Sequence, residues 1–562
     1  MLFKSSSPDI DLPKDLPVWT WLFASPHSPL ARIPSKDIRG FTDAITGEHI
    51  SYSDVKSHTT HASTALVKDY GLREGDVAIV FSRNTIWYPV AVLAAARVGA
   101  VACGVSPEYN VDELTYSLKL SKAKFIFTTE GGLERAYAAA SNAGIAHDHV
   151  LLLETSTKAG QTSLQDLARR GQQYGDGGQV SPFKLPAGKT NGQVCAYLGF
   201  SSGTTGLPKA VMISHGNVIA QCLQIQQITP ASHDKGLAAL PFYHITGIVH
   251  QLHLPVLLNA NTYVLTRFTM EGFLKAVQDY KIKELLLVPP IIIRLVRSPE
   301  LVGKFDLKHV TRFSSGAAPL SQEVLALLQR QFPGTGFKQG YGMTESCSCI
   351  TAHPPEKYDY KYAHRVGAVV ASTEVKVVDP ETGRQCGVGE TGEIWARGPQ
   401  ITMGYLDNPK ATAETYDKDG FLHTGDMGHF DEEGLLSITD RLKEMVKVKG
   451  IGVAPAELEN LLLGHPIVND AAVCGIQDER AGERPKAFVV LAEAAASEPE
   501  RAAQELIDFS KSKTARHKWI AEVEIVKEIP KSPSGKILRR KLRQAPGKSG
   551  NVIVRDDVRA RF

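Results

Sequence analysis

Few features tie this 562-residue chain to a special environment. Its seven cysteines are scattered, odd in number and without a C-x-x-C pair, which argues against a disulfide framework and a cysteine zinc site. No N-x-[ST] sequon occurs, and the opening Met-Leu-Phe-Lys-Ser-Ser-Ser-Pro lacks the apolar core of a secretory signal. The best apolar run, Ala91 to Val105, is interrupted by Arg97 and falls short of a membrane span. A net charge of +3 is too small to argue for nucleic acid or an anionic membrane. Internal repeats and low-complexity tracts are absent. These absences point to a reduced, intracellular protein with no nucleic-acid partner and no integral membrane contact. The standard P-loop is missing too: G-x-x-x-x-G-K-[ST] has no match around Gly203 and Gly206, where Lys209 follows three residues on.

What is present is an ordinary soluble composition, 43% hydrophobic and 22% charged, in a chain too long for one core. Residues 17 to 150 alternate apolar strands (Val77–Phe81, Gly99–Val105, Lys124–Thr128) with an amphipathic helix at Tyr88–Val98, the pattern of an α/β fold. Residues 155 to 193 are polar and read as an exposed connection. The α/β pattern resumes at Ala238-Ala-Leu-Pro-Phe-Tyr and at Glu284-Leu-Leu-Leu-Val. From about 366 to 440, short strands and turns predict a small β subdomain, and a compact α/β tail follows Arg441. From Arg441 on there are 23 Lys and Arg against 17 Asp and Glu, and Lys531 to Lys548 holds seven basic residues and no acidic one. Such a run is either a solvated tail or a face that meets a polyphosphate.

The densest chemistry lies in Tyr197-Leu-Gly-Phe-Ser-Ser-Gly-Thr-Thr-Gly-Leu-Pro-Lys209. Glycine permits positive φ and close approach of the backbone, successive N–H groups form an anion nest, and Ser201, Ser202, Thr204, Thr205 and Lys209 add donors and charge. Polyphosphate binding needs that combination. Gly199-Phe-Ser-Ser-Gly203 also matches G-x-S-x-G, the elbow of serine hydrolases, but Thr-Thr-Gly-Leu-Pro after it is loop chemistry where an elbow needs a helix.

Ser201-Ser-Gly-Thr-Thr-Gly-Leu-Pro-Lys209 resembles the phosphate loop of the adenylate-forming superfamily of acyl-CoA synthetases, adenylation domains and luciferases. Gly340-Tyr-Gly-Met-Thr-Glu345, Gly392-Glu-Ile-Trp-Ala-Arg-Gly398, Leu422-His-Thr-Gly-Asp426, Asp440 to Gly450 and Pro530-Lys-Ser-Pro-Ser-Gly-Lys536 resemble its further motifs, in family order. Through Gly450 to Glu459 the chain is most similar to 4-coumarate–CoA ligase-like enzymes. The resemblance implies an α/β N-terminal domain over 1–440, with the β subdomain at about 366–440, and a small mobile C-terminal domain over 441–562. It implies an enzyme that joins a carboxylate and ATP into an acyl-adenylate, releasing pyrophosphate, and then passes the acyl group to CoA.

Roles follow by resemblance. Ser201, Ser202, Gly203, Thr204, Thr205, Gly206 and Lys209 would hold phosphates, Tyr341 would stack on adenine and Thr344 would reach the α-phosphate, with Gly316, Ala317, Gln339, Gly340 and Gly342 also binding the nucleotide and Gly316, Ala317 and Gly340 shared with the acid pocket. Glu345 would ligate Mg²⁺, and Asp426 and Arg441 the ribose. Lys536 would bridge carboxylate and α-phosphate, with His244 beside the carboxylate. Lys443 stands at the hinge, and Lys447, Lys449 and Gly450 would face the site during thioester formation. Plant-type relatives carry Gln where this chain has Gly452. The acid would lie along Thr246, His250, Ser348, Cys349 and Ile350. No Lys or Arg is expected at its far end, so an apolar monocarboxylate of aryl (cinnamate- or coumarate-type) or medium-chain form is implied. A monomer or homodimer is expected. Ala560-Arg561-Phe562 has the small–basic–apolar form of a non-standard peroxisomal address, so the location is cytoplasmic or peroxisomal. Two readings stay open beside the ligase: an adenylation enzyme loading a carrier protein in trans, and a serine hydrolase using Ser201.

Overall fold

The computed structural model describes all residues except 156–159, 202–207, 317, 319, 450, 479, 532–535, 545–550 and 557–562. Ser202, Gly203, Thr204, Thr205, Gly206, Ala317, Gly450 and the terminal Ala560-Arg561-Phe562 therefore lie outside the described residues.

The described residues fold as a mixed α/β protein with five sheets. Val77–Phe81 and Val101–Val105 are buried at every position, as strands covered on both faces must be. They form the middle of a six-stranded sheet that is parallel except for its last member, Lys209–Ser214, which returns antiparallel to Cys195–Ser201. The all-buried helix Tyr88–Arg97 packs in the same core as Trp19, Trp21 and Phe242. A second sheet runs Glu284–Leu287, Arg312–Ser315, Gly336–Met343, Ser348–Ala352 and Ala368–Val369. Its first three strands are parallel, which aligns their ends toward one crevice. A third, four-stranded sheet is built around Lys235–Ala238 and Asn261–Val264. An antiparallel sheet of Glu374–Val378, Gly392–Arg397, Leu422–Phe430 and Leu436–Arg441 makes the β subdomain, and Leu2–Lys4 completes its edge by pairing with Glu374–Val378. The C-terminal domain has its own sheet, led by Val468–Asp478 and Gly482–Leu491, and its own core around Leu458, Val473, Val489 and Leu506.

One expectation fails clearly. Residues 155 to 193 are not simply an exposed connection: Leu164–Gln172 is a helix packed on Tyr52–Tyr70. Leu164, Leu167, Ala168 and Gly171 are its buried stripe at helical spacing. Ser163 and Asp166 form a reciprocal capping box at its start. A Cβ at Gly171 would lie 1.8 Å from the His61 carbonyl oxygen, so the glycine is what lets the two helices approach. No described helix is long and apolar enough to cross a membrane.

Candidate active site

One cavity of about 1250 Å³ is walled by both domains. Its wall begins at the hairpin of Cys195–Ser201 and Lys209–Ser214, where Ser201 pairs with Lys209. Both residues line the cavity. The strand after Ser201 also decides the hydrolase reading: the chain returns as a strand at Lys209, not as the helix that a nucleophile elbow requires. The Lys209 ammonium sits 4.6 Å over the Tyr405 ring. The Tyr405 hydroxyl in turn donates to Glu345 Oε1 at 2.9 Å.

Gly340, Tyr341, Gly342, Met343, Thr344 and Glu345 line the next wall. Gly342 is required by packing, since a Cβ there would stand 1.5 Å from the Ser348 carbonyl oxygen. Thr344-Glu345-Ser346 is a short 3₁₀ turn closed by Ser346 onto Met343, and Thr402 holds the Glu345 carbonyl at 2.9 Å. Glu345 is thereby fixed with one carboxylate oxygen bonded to Tyr405. Among the described residues no cluster of three or more His, Cys, Asp or Glu is placed to hold a metal ion. A lone carboxylate suits Mg²⁺, which keeps waters and completes its shell with phosphate oxygens.

The Tyr341 hydroxyl donates to Asp426 Oδ2 at 2.7 Å, and Arg441 Nε stands 2.9 Å from Oδ1. Burial and then the Asp426 carboxylate push the Tyr341 hydroxyl well above the usual tyrosine range. Asp426 is only 4% exposed, and its carboxylate is engaged by Tyr341 and Arg441, which line the cavity with Thr424 and Gly425. Gln339 is turned away: it is buried, and Lys338 and Gly340 on either side of it face the cavity. Beside Arg441, the Trp395 and His423 rings stack at 3.6 Å, with His423 and Glu393 on the lining and the indole N–H donating to Glu393.

His244 follows Pro241-Phe-Tyr at the entry to a π-helical run, Gly247–His253. Its Nε2 is buried without a hydrogen-bond partner, and burial lowers its pKa to about 4. The residue, with its ring neutral, lines the cavity. The π-helical run also turns Thr246, His250 and Gln251 inward, as such irregular turns do at functional sites. His250 Nε2 lies 3.0 Å from the Ser348 hydroxyl, and burial takes its pKa down to about 3. Gly316, Ser348 and Cys349 line the same region, and a Cβ on Gly340 would touch Cys349 Sγ. Ile350 does not: it is the extra residue where the pairing with Tyr341 and Gly342 shifts between Thr351 and Cys349, and its side chain packs in the core with Val366, Val375 and Ile394.

The C-terminal domain contributes Lys536, which reaches the lining with Lys531 and Lys541. Burial, then the Arg441 charge, lowers its pKa to about 8, against the pull of Asp426, Glu444 and Glu345. Lys443, in the turn after Leu436–Arg441, also lines the cavity. Lys447 and Lys449 are not brought there: Lys447 lies exposed on Val446–Val448, opposite Gly452, on a strand that this domain placement turns away from the cavity.

The expectation of an uncharged acid pocket is overturned. Glu284 and Lys338 line the cavity, with Arg312 ion-paired to Glu284 and the Ser314 hydroxyl donating to it at 2.6 Å. Burial works to raise the Glu284 carboxyl, but hydrogen bonding to His233 and the charges of Lys338 and Arg312 hold it well below the usual range.

A family model described as AMP-binding enzyme matches residues 36–406, and one described as AMP-binding enzyme C-terminal domain matches 457–536. The 4-coumarate–CoA ligase 1 of Petroselinum crispum is 36% identical over 554 residues, covering 97% of this chain and 96% of its own. The 4-coumarate–CoA ligase of Vanilla planifolia is 35% identical with the same coverage. Among solved structures, ATP-bound MatB from Rhodopseudomonas palustris superposes with a TM-score of 0.81 at 25% identity, over 94% of this chain and 98% of that one. The anthranilate CoA ligase AuaEII in complex with anthranoyl-AMP shares the fold, with a TM-score of 0.80 at 23% identity over 95% and 98% of the two chains. With both domains matched in order around a cavity that both of them wall, the chain belongs to the AMP-binding enzyme family of adenylate-forming acid–thiol ligases.

Proposed function

We propose that the chain is an ATP-dependent ligase that joins an aryl acid of the cinnamate class to CoA in two steps. The observation that carries this reading is the meeting of Lys536, of His244 and of the Thr344–Glu345 pair, from three separate motifs, on one cavity. A carboxylate is a poor acyl donor until its oxygen is converted to a leaving group. Attack of that oxygen on the α-phosphorus of ATP forms the acyl-adenylate and releases pyrophosphate. The site has to answer the charge of that transfer and align its partners.

Ser201 and Lys209 receive the outer phosphates, and Thr344 the α-phosphate. Glu345 would hold the Mg²⁺, which would supply neutralisation of phosphate charge. Lys536 spans the two reacting oxygens as a cation below its pKa of about 8. His244 meets the carboxylate through its unpartnered Nε2 as a neutral hydrogen-bonding group, so it orients the acid without pairing with its charge. Asp426 holds Tyr341 and Arg441 in place for the nucleoside. Thioester formation then needs a second domain placement, with Lys447, Lys449 and the hinge at Lys443 as its means. The CoA thiolate attacks the acyl carbon and AMP leaves.

AMP release measured with ATP, CoA and a panel of carboxylic acids tests the reading. Aryl acids should give the highest kcat/KM. If hexanoate or octanoate exceeds every cinnamate, the aryl assignment is wrong. If no acid supports AMP release, the ligase assignment falls with it.

A further inference from the structure

The deep end of the cavity carries a charge that phosphoryl transfer does not use. Lys338 precedes Gly340 by two residues on Gly336–Met343, so both face the cavity. The rise of a strand puts Lys338 about 7 Å further from the nucleotide end than Gly340. Lys338 pairs in register with Ser314, whose hydroxyl bonds Glu284. Glu284 has its partners already: Arg312, Ser314 and, at 3.4 Å, His233 Nδ1. The Arg312 charge therefore answers Glu284, and Lys338 brings a second positive charge to the same corner. Among the described residues, no group hydrogen-bonds the Lys338 ammonium or forms an ion pair with it. Burial drives its pKa down, and Glu284 opposes this only in part. His250 and Cys349, on the acid side of the cavity, both feel its charge.

We propose that Lys338 is the specificity-determining residue of the acid cavity, donating an N–H to an oxygen acceptor (hydroxyl, carbonyl or carboxylate) at the far end of the acid. This rests on the reading of the cavity as the site of an acid–CoA ligase. A plain hydrocarbon tail would strip water from the ammonium and give nothing back, while an oxygen at the right depth replaces the lost hydrogen bond. Sites built around a buried polar group discriminate strongly against analogues that leave it unpaired. The preferred acids are then hydroxylated aryl acids and other tail-oxygenated acids. The dicarboxylates that an uncharged pocket would reject gain a partner here.

The test compares matched acids on one protein: cinnamate with 4-hydroxycinnamate, and octanoate with 8-hydroxyoctanoate. In the wild type, the oxygenated member of at least one pair should have a kcat/KM higher by about 10-fold or more. In Lys338→Met the oxygenated acid should lose about 10- to 100-fold, mostly in KM, and far more than its plain counterpart, so that the ratio falls toward one. Lys338→Arg, which keeps the donor, should retain the preference. Because each ratio comes from one preparation, partial unfolding of a variant cancels. If Lys338→Met does not fold, the wild-type ratios and Lys338→Arg decide. Wild-type ratios at or below one in both pairs overturn the proposal, as does an unchanged ratio in Lys338→Met. Failure to release AMP with any acid overturns the ligase reading instead.

Discussion

At the scale of single residues, the ammonium of Lys536 is the group whose state can be followed most directly. Burial disfavours its charge and the Arg441 guanidinium adds repulsion, so the cation is lost as pH rises through about 8 and not near the ordinary 10.5. Since kcat/KM reports the free enzyme, adenylation measured by pyrophosphate exchange at low ATP should fall above about pH 8, on the order of tenfold per pH unit. Lys536→Arg should move that limb upward. Lys536→Ala should lower adenylation by on the order of 10²-fold or more, the scale for one preorganised charge contact. Thioester formation from supplied acyl-adenylate should survive. Equal loss in both half-reactions would falsify an adenylation-specific role.

Motifs of a few residues were enough to single out His244, Thr344, Glu345 and Lys536, which line one cavity. Their neighbours were harder. Gln339 and Ile350 lie in or beside motifs, yet neither reaches the cavity: Gln339 is the buried alternate of Lys338 and Gly340, and Ile350 sits at a register shift that turns it into the core. Lys338 had a readable signal that went unused. It shares strand parity with Gly340, which already belonged to the site, and a charge on the cavity side of an otherwise apolar strand calls for a partner. Glu284 and Arg312 are far from Lys338 in sequence, and only parallel pairing of three strands joins them.

Among elements, Leu164–Gln172 teaches the same lesson in reverse. Its flanks are polar and rich in Gly, Ser, Thr and Gln, which masks a stripe of only four buried residues. The signal was the cap: Ser163 Oγ accepts from Asp166 N at 3.2 Å while the Asp166 carboxylate accepts from Ser163 N at 2.9 Å. Ser163→Ala removes half of that reciprocal arrangement, worth about 1 kcal/mol. Amide exchange within the helix should quicken by about fivefold, the factor that energy sets. Activity should not change, because none of these residues touches the cavity. Unaltered exchange would mean that packing on Tyr52–Tyr70 alone holds the helix. By contrast, the strands Val77–Phe81 and Val101–Val105 were legible from composition alone, since fully buried strands need unbroken apolar runs.

For the whole molecule, the question is how the C-terminal domain is held with Lys536 inward. The contacts described across the junction are few and polar. Arg297 donates to the Asn469 carbonyl and side chain at 3.1 Å, and Ala456 N donates to Asp440 at 3.0 Å. An interface of that kind releases readily. Between Leu436–Arg441 and Val446–Val448 the chain makes one turn, in which Leu442 N bonds the Gly425 carbonyl and Glu444 and Met445 N bond that of Arg441. The Lys443 N–H takes no part in those bonds, so proline there removes none of them while fixing φ against a swivel. Lys443→Pro should leave pyrophosphate exchange near the wild-type rate and depress acyl-CoA formation. Wild-type rates in both would show that the chain does not turn at this point.

The stacked pair of Trp395 and His423 has a use beyond packing. Of the five tryptophans, Trp19, Trp21 and Trp87 are sealed in the core, whereas Trp395 is held by Glu393 and His423, both on the cavity wall. An arriving nucleotide must jostle those two side chains, and the indole's emission will follow. The molecule thus carries its own optical gauge of site filling. Rapid mixing with ATP should give a fluorescence transient that disappears in Trp395→Phe and precedes any chemistry, so that binding can be timed apart from bond formation without attaching a dye.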